Sequence, residues 1–255
     1  MHDKGLNAFQ IKLIGIILMV CDHIAQFFPA APLFLHWLGR PVAPIFLFMS
    51  SEGYIHTKNK FKYMLRLLSG FWLMNILTII FTYLTDNPAQ VITNNIFGTL
   101  FLGVLYMYLV DTFKTTETFM KKLFVLFLSL VPIYVNLLLM NLQERSPSSI
   151  YKIIKLIFPL PITTEGGIFI VLLAVLFYLY RDNRLYQFLA LFAISTLYFF
   201  SNPEKPFTEH YQWMMCFSFL PLSLYNKQEG KKLQLFFYVF YPAHFYLLYF
   251  LYRLL

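Results

Sequence analysis

Long apolar runs separated by short polar breaks dominate the chain. The breaks carry turn-forming residues, as in "TDNPAQ", "RDNR" and "NKQEGKK". A helix that crosses a bilayer needs about 17 to 25 mainly apolar residues. The pattern predicts nine such spans, at about 7–28, 41–57, 62–84, 92–113, 120–142, 166–181, 185–200, 209–225 and 232–254. We therefore predict an all-α polytopic transmembrane helical bundle that forms a single integral membrane domain over residues 1–255.

One apolar segment is too short to be a span. It reads "IYKIIKLIFPL" over residues 150–160, with Lys152 and Lys155 on one side. A short helix with an apolar face and a basic face is typical of the membrane interface. The segment is therefore predicted to lie along the bilayer surface.

The composition supports a membrane protein. Of the 255 residues, 59% are hydrophobic and only 13% are charged, whereas soluble domains carry about 25% charged residues. The lipid bilayer is thus the expected partner of the apolar surface. The net charge of +8 does not indicate nucleic acid binding, because the basic residues cluster in short loops, where they report membrane topology. Cys21 and Cys216 both lie in apolar runs, so no disulfide framework is expected.

The distribution of basic residues between alternate loops predicts the orientation. Thirteen loop Lys and Arg residues, from Lys4 to Lys232, fall on one side, and five, from Arg145 to Arg253, fall on the other. The positive-inside rule places the richer side in the cytoplasm. With nine spans in the cell (cytoplasmic) membrane, the N-terminus is then inside and the C-terminus outside.

A few ionisable residues lie within the predicted spans instead of the loops. Each costs a few kcal/mol or more at bilayer depth, so each is expected to face the bundle interior or a wet cavity. They are Lys12, Asp22, His23, Glu52, His56 and His244, with Arg40 at a helix start.

Asp22 and His23 stand together in "MVCDHIAQFF" in the first span. Neighbouring residues point about 100° apart on a helix, so the two side chains do not face each other. Asp22 is instead predicted to orient a residue of another helix, such as Arg40. Lys12 lies eleven residues before His23, on nearly the same face and about 16 Å along the axis. Two plainer interpretations stay open: Lys12 snorkels to the interface, and His23 is a core histidine bonded to a carbonyl.

The second and last spans hold further polar candidates. Glu52 and His56 are four residues apart and share a helix face; the alternative is an interfacial pair bridging to a nearby lysine. Tyr241 and His244 flank Pro242, and proline kinks in membrane helices often line cavities. The alternative for His244 is a structural histidine.

Six segments resemble those of a known family. They are "IKLIGIILMVCDHIAQFFP", "LGRPVAPIFLFMSSEGYIHTKN", "KYMLRLL", "TNNIFGTLFLG", "LPLSLYN" and "FFYVFYPAHFYLLY". On these motifs the chain resembles the TraX family along nearly its whole length. That family is named for a conjugative-plasmid membrane protein that acetylates the N-terminus of the pilin subunit. Lys12 and His23 also look like the basic-x10-His signature of the acyltransferase-3 membrane enzymes.

The resemblance implies acetyl transfer from cytosolic acetyl-CoA to an amine or hydroxyl acceptor at or beyond the outer face. Such chemistry needs a base, together with cations or donors for the CoA phosphates and the oxyanion. We expect catalysis from His23 with Asp22 and no metal. Three basic residues are expected to bind the donor: Lys12, Arg40 and Arg66. Four more are expected to bind or support the substrate: Glu52, His56, Tyr241 and His244. The expected acceptor is a protein or small molecule, a pilin-like subunit among the candidates, and Arg66 has the alternative of an ordinary cytoplasmic loop charge.

Two other functions are compatible with the sequence. A proton-coupled secondary transporter would use Asp22, His23, Glu52 and His56 as a proton relay, although the chain shows no matching halves of the kind that inverted repeats give. A scaffold without catalysis would not explain why the intramembrane charges concentrate in the first two spans.

Overall fold

The computed structural model describes residues 5–84, 95–145 and 149–254, with side chains for all of them except residues 143–152. Within these ranges every named element is a helix, and the only β-type pairing is an isolated bridge between Leu6 and Tyr225. The all-α prediction is confirmed. The helices are α1 Ala8–Phe27, α2 Phe34–Gly39, α3 Val42–His56, α4 Lys60–Leu84, α5 Ile96–Thr115, α6 Phe119–Arg145, α7 Ser149–Ile157, α8 Gly167–Leu179, α9 Arg184–Ser201, a 3₁₀ helix Tyr211–Ser218, α10 Phe219–Ser223 and α11 Gln234–Leu254.

Six helices of the described residues are long and apolar enough to cross a membrane. They are α1, α4, α5, the Phe119–Leu142 part of α6, α9 and α11. Each coincides with a predicted span, because length and hydropathy alone define such a helix. The chain is a multi-pass membrane protein.

The three other predicted spans form shorter elements. Residues 41–57 give α3 of 15 residues, and residues 166–181 give α8 of 13 residues. The predicted span over 209–225 is not confirmed as a long helix, because that stretch is a 3₁₀ helix of eight residues followed by the five-residue α10. Pro221 lies in the first turn of α10 and has no N–H for an α-helical ladder that would continue unbroken from the preceding residues. The number nine is therefore not confirmed.

Helices α1 and α11 run in the same direction. Phe9 lies 6.1 Å from Phe237 between ring centroids, and Phe27, near the other end of α1, lies 6.0 Å from Tyr249. When two membrane spans run in the same direction, the number of crossings from the first to the second, counting both, is odd. Six long helices give an even number, so if all six of these described helices cross, a shorter apolar segment has to cross as well. This parity agrees with termini on opposite sides of the membrane.

The helices cluster into two compact units. The first comprises the described residues up to Met49 and from Leu179 onward, and the second is Ser50–Tyr178. In the second unit, α5 and α8 approach closely, since a Cβ on Gly103 would lie 2.8 Å from the Cβ of Ala174. Small residues allow such close contact between membrane helices.

The start of α1 is fixed to the loop before α11 in the first unit. The amide of Leu6 donates to the carbonyl of Leu224 at 2.7 Å, and the amide of Asn226 donates to the carbonyl of Leu6 at 2.9 Å. Asn7 and Gln10 then form a capping box at the first turn of α1. These contacts set the register of α1 against α11, and that register decides which side chains meet farther along.

Candidate functional site

Asp22 and His23 point to two different sets of partners in the first unit. His23 turns toward α11, whereas Asp22 turns toward α2 and the residue that follows it. The angular separation of adjacent helix positions, about 100°, accounts for this division. The adjacent acid and imidazole therefore do not form a dyad with each other.

His23 pairs with His244 across α1 and α11. Nδ1 of His23 lies 2.7 Å from Nε2 of His244, and the two residues are only 4% and 7% exposed. The ring planes are 8° apart, with centroids 4.9 Å from each other. An imidazole N–H lies in its ring plane, so this near-parallel arrangement suits a direct N–H···N bond. The structure thus brings together two residues that the sequence predicted separately.

The bonds of His244 determine which nitrogen of His23 carries the proton. Nδ1 of His244 lies 2.7 Å from the carbonyl oxygen of Phe240. A carbonyl only accepts, so this Nδ1 is the donor, and in a neutral His244 the Nε2 atom is an acceptor. Nδ1–H of His23 then donates to it. Nε2 of His23 is left with a lone pair, the form that a general base requires.

Aromatic side chains surround the histidine pair. The ring of Phe245 meets His23 edge to face at 5.1 Å, and the ring of Tyr241 lies 6.1 Å away at 68°. Phe27 packs on the other side of Phe245 at 5.2 Å. In the part of the chain that the structure describes, Nε2 of His23 has no hydrogen-bond partner. The ring of His23 is thus held among aromatic side chains by a single directional bond.

Asp22 is bound by residues of α2 and its C-cap. Nη2 of Arg40 donates to both carboxylate oxygens at 2.7 Å, and Nδ1 of His36 lies 3.0 Å from Oδ1. Gly39 permits this approach, since a Cβ there would lie 2.3 Å from the Cβ of Asp22. The predicted contact of Asp22 with Arg40 is confirmed.

The other nitrogens of Arg40 are engaged as well. Nε donates to the carbonyl of His36 and Nη1 to Oε1 of Gln212, both at 3.1 Å, and the guanidinium lies 5.4 Å from the ring centroid of Tyr211. A CoA phosphate would have to compete with Asp22 for this cation. The geometry favours an organising role, in which Arg40 joins α1, α2 and the 3₁₀ helix.

Lys12 occupies the opposite end of α1. The side chain is half-buried, and Nζ lies 5.2 Å from the ring centroid of Phe237 on α11. Lys12 and His23 therefore both face α11, separated by about three helical turns, roughly 16 Å.

The remaining predicted residues lie in the second unit. Glu52 is half-buried and His56 is exposed, and among the described residues no hydrogen bond or ion pair joins them. Arg66 is half-buried, with its guanidinium 5.7 Å from the ring centroid of Tyr63. Their predicted roles in substrate or donor binding stay predictions.

An acid that the sequence reading passed over organises this second unit. Oδ2 of Asp111 accepts a hydrogen bond from Tyr54 at 2.8 Å, and Oδ1 accepts one from Tyr178. Nζ of Lys60 lies 4.3 Å from the ring centroid of Tyr54 and donates to the carbonyl of that residue. Asp111 falls inside the predicted span 92–113. An acid within a span is the sequence feature by which this residue could have been recognised. With both oxygens satisfied, the cluster ties the ends of α3, α5 and α8 together.

Metal chemistry has no evident set of ligands here. Across residues 5–84, 95–145 and 149–254, no group of three or more His, Cys, Asp or Glu side chains is placed to hold a metal ion. The predicted use of acetyl-CoA stays a prediction.

Comparison with known protein families matches most of the chain. The sequence model of the family described as TraX protein matches residues 8–252. A probable fimbrial assembly protein FimC, serogroup H1, of Dichelobacter nodosus is 37% identical over 71 residues, which are 26% of this chain and 29% of that relative. The chain thus spans less than a third of the length of that relative. No solved structure matches.

Proposed function

The chain belongs to the TraX family, and on that basis we propose that it is a membrane-embedded acyltransferase. It moves an acetyl group from cytosolic acetyl-CoA to an amine or hydroxyl acceptor at or beyond the outer face of the cytoplasmic membrane. The observation that carries this proposal is the buried His23–His244 pair, which leaves Nε2 of His23 as a base.

The proposed step is a direct transfer. The acceptor nitrogen or oxygen attacks the acetyl carbonyl of the thioester while Nε2 of His23 takes the acceptor's proton. The new C–N or C–O bond forms, the C–S bond breaks, and the proton passes from His23 to the departing sulfur to give CoA. Throughout the step, Nδ1–H of His23 stays bonded to Nε2 of His244, which stabilises the transient imidazolium and fixes its ring.

The donor approaches from the cytoplasmic side in this proposal. Lys12 is suited to the phosphates of the donor, since it lies toward the start of α1 on the α11-facing side that also carries His23. Arg66 is proposed as a second cation for the donor, whereas Arg40 acts through Asp22 instead. An anionic ligand favours a cationic entrance of this kind.

The acceptor is proposed to be a protein. The fimbrial assembly relative supports this choice by its name, and a pilin-like subunit is the candidate that the name suggests. A small-molecule amine or hydroxyl would use the same base. The alternative function, a proton-coupled transporter, would employ the histidine pair as a relay and would transfer no acetyl group.

The test is acetyl transfer by purified protein in lipid nanodiscs, measured as acetyl-CoA consumed and acceptor labelled. His23→Gln should lose about 10² to 10⁴ in rate, the usual contribution of a general base. Asp22→Asn should lose less, because Asp22 organises α2 and does not touch the base. Binding of CoA by each variant reports whether it is folded.

Two results would count against the proposal. One is a His23→Gln protein that transfers acetyl at a rate near wild type. The other is a wild-type protein that consumes no acetyl-CoA with any amine, hydroxyl or pilin-like acceptor. If that protein carried protons across the membrane of liposomes into which it is reconstituted, the result would favour the transporter.

A further inference from the structure

One end of the first unit gathers the starts of three helices. This inner end is the part where α1, α9 and α11 begin, away from His23. Leu6 pairs with Tyr225 just before α1, and Phe9 of α1 lies 6.1 Å from Phe237 of α11. Tyr225 in turn meets Phe48 at 5.7 Å. Apart from Lys12, the basic residues of this end served in the sequence analysis only as topology signals.

Arg184, the first residue of α9, is held in a defined position at the inner end. The centre of its guanidinium lies 4.6 Å from the ring centroid of Phe48 and 5.1 Å from that of Tyr225. Nη1 donates to Oε1 of Gln187, a fully buried side chain, at 3.2 Å. A cation held against two rings and a buried amide is preorganised, unlike a lysine that moves freely in solvent. A planar guanidinium of this kind also matches the geometry of phosphate oxygens.

The charge around Arg184 is strongly positive. The described residues of 5–12, 179–190 and 224–237 hold six basic and two acidic side chains, which leaves a net +4. Asp182 is 3.9 Å from Arg181, whereas Glu229 is 3.2 Å from Lys232 and also interacts electrostatically with Lys12. Arg184 and Lys12 therefore face a ligand in a field that favours anions.

The distance from this end to the base suits a long donor. Lys12 and His23 are separated by about 16 Å along α1. A CoA thioester carries its phosphates at one end of an extended arm and its thioester at the other. A donor with its phosphates at the inner end would direct its thioester toward the histidine pair.

We propose that Arg184, with Lys12, binds the phosphates of the nucleotide part of the acyl donor at the inner end of the first unit. This inference rests on the proposed function, since the ligand is the donor of that reaction. The chemistry that the site recognises is a phosphate group, which both a nucleotide and an anionic lipid headgroup offer. We assign the nucleotide, because Arg184 is fixed by Phe48, Tyr225 and Gln187 at an end of the unit that also carries Lys12.

The experiment measures the affinity of the whole protein for CoA and for adenosine 3′,5′-bisphosphate, in nanodiscs of phosphatidylcholine alone. Arg184→Gln should weaken both affinities by about 10- to 100-fold, the value of one or two lost charge-assisted hydrogen bonds. Arg184→Lys keeps the charge but loses the planar fork, so its affinity should fall between those of Arg184→Gln and wild type. Arg181→Gln removes the same charge from the same loop and is the matched control, with a much smaller effect.

The outcomes separate this site from the proposed function. Equal losses for Arg184→Gln and Arg181→Gln would overturn the Arg184 site and leave acetyl transfer intact. The site would also be wrong if Arg184→Gln left both affinities unchanged and altered only the binding of vesicles that contain phosphatidylglycerol. CoA binding that depends on Arg184, in a protein that transfers no acetyl group, would support the site and contradict the proposed function alone. A wild-type protein that does not bind CoA would contradict both.

Discussion

Replacing His244 by leucine should disable the base without removing it. Leucine is of similar bulk but offers no acceptor to Nδ1–H of His23, which lies 2.7 Å from Nε2 of His244 in the native pair. His23 then has two options: it keeps its proton on Nδ1, unpaired in a buried site, or it moves the proton to Nε2. The first option misorients the proposed base, and the second places a proton on the nitrogen that has to accept one in the proposed mechanism.

The size of the effect follows from the lost bond. An unpaired buried donor costs about 1 to 3 kcal/mol, which corresponds to about 5- to 150-fold in rate. His244→Leu should thus lower kcat by about 5- to 150-fold, and its kcat should not fall below that of His23→Gln. His244→Gln should recover part of the loss, since its amide oxygen is able to accept the bond from His23. Adding His244→Leu to His23→Gln should cost little more, because residues that act as a unit are not additive.

The assay is acetyl transfer at saturating acetyl-CoA, with CoA affinity measured on the same samples. His210→Leu is the control, because His210 is exposed and lies outside the histidine pair. A structural role for His244 would lower both kcat and CoA affinity, whereas a role in the tautomer of His23 lowers kcat alone. If His244→Leu transfers acetyl as fast as His210→Leu, or if the losses of the double variant simply multiply, the tautomer argument is refuted.

Three further predictions follow from the fold. A reporter that is active only outside the cytoplasm should work when fused after α11, because α1 and α11 are parallel; activity of a cytoplasm-only reporter there would contradict this parity. Gly39→Ala should lower the thermal unfolding midpoint in detergent by the equivalent of about 1 to 3 kcal/mol, since its Cβ would lie 2.3 Å from that of Asp22; an unchanged midpoint would show that α2 shifts freely. Tyr178→Phe removes one of the two hydroxyl donors to Asp111 and should cost about 0.6 to 2 kcal/mol of stability, measured by the same unfolding, with CoA affinity unchanged.

The long helices could be predicted from the sequence because lipid imposes a simple rule on them. A backbone in hydrocarbon has to satisfy its own hydrogen bonds over the full bilayer thickness, so length and hydropathy suffice. That rule does not cover residues 209–225, which are apolar enough but contain a proline and fold into a 3₁₀ helix and a short α-helix. Hydropathy reports whether a segment prefers lipid or water, and it does not report whether the backbone hydrogen bonds of a helix continue without a break.

Contacts between helices likewise include one that could be predicted from the sequence and one that could not. The contact of Asp22 with Arg40 could be predicted, since the two residues are close in sequence and lie at similar depth. The bond between His23 and His244 could not, because no local pattern relates residues 221 positions apart. Each was recognised alone as an imidazole out of place in lipid. The register of α1 against α11, fixed by Leu6 and its partners near Tyr225, decided that they meet.

Two organising residues escaped notice because their positions suggested ordinary roles. Asp111 lies near the end of a span, where an acid is commonly solvated, and only the fold shows Tyr54 and Tyr178 bonded to it. Arg184 follows a polar break and counted as one more cytoplasmic charge. The rings of Phe48 and Tyr225, far away in sequence, are what distinguish it.

The pairing of α1 with α11 also has a consequence for how the protein is made. A ribosome delivers α1 to the bilayer first and α11 last among these helices, so His23 waits for its partner while some 220 residues are inserted. The partner of Asp22 on the α2 side arrives within 18 residues, and Ser50–Tyr178 supplies a complete unit in the interval. A chain interrupted before residue 234 would carry the helices before α11 and a paired Asp22, but His23 would lack its partner on α11. In the proposed mechanism, acetyl transfer would therefore begin only once translation has passed α11.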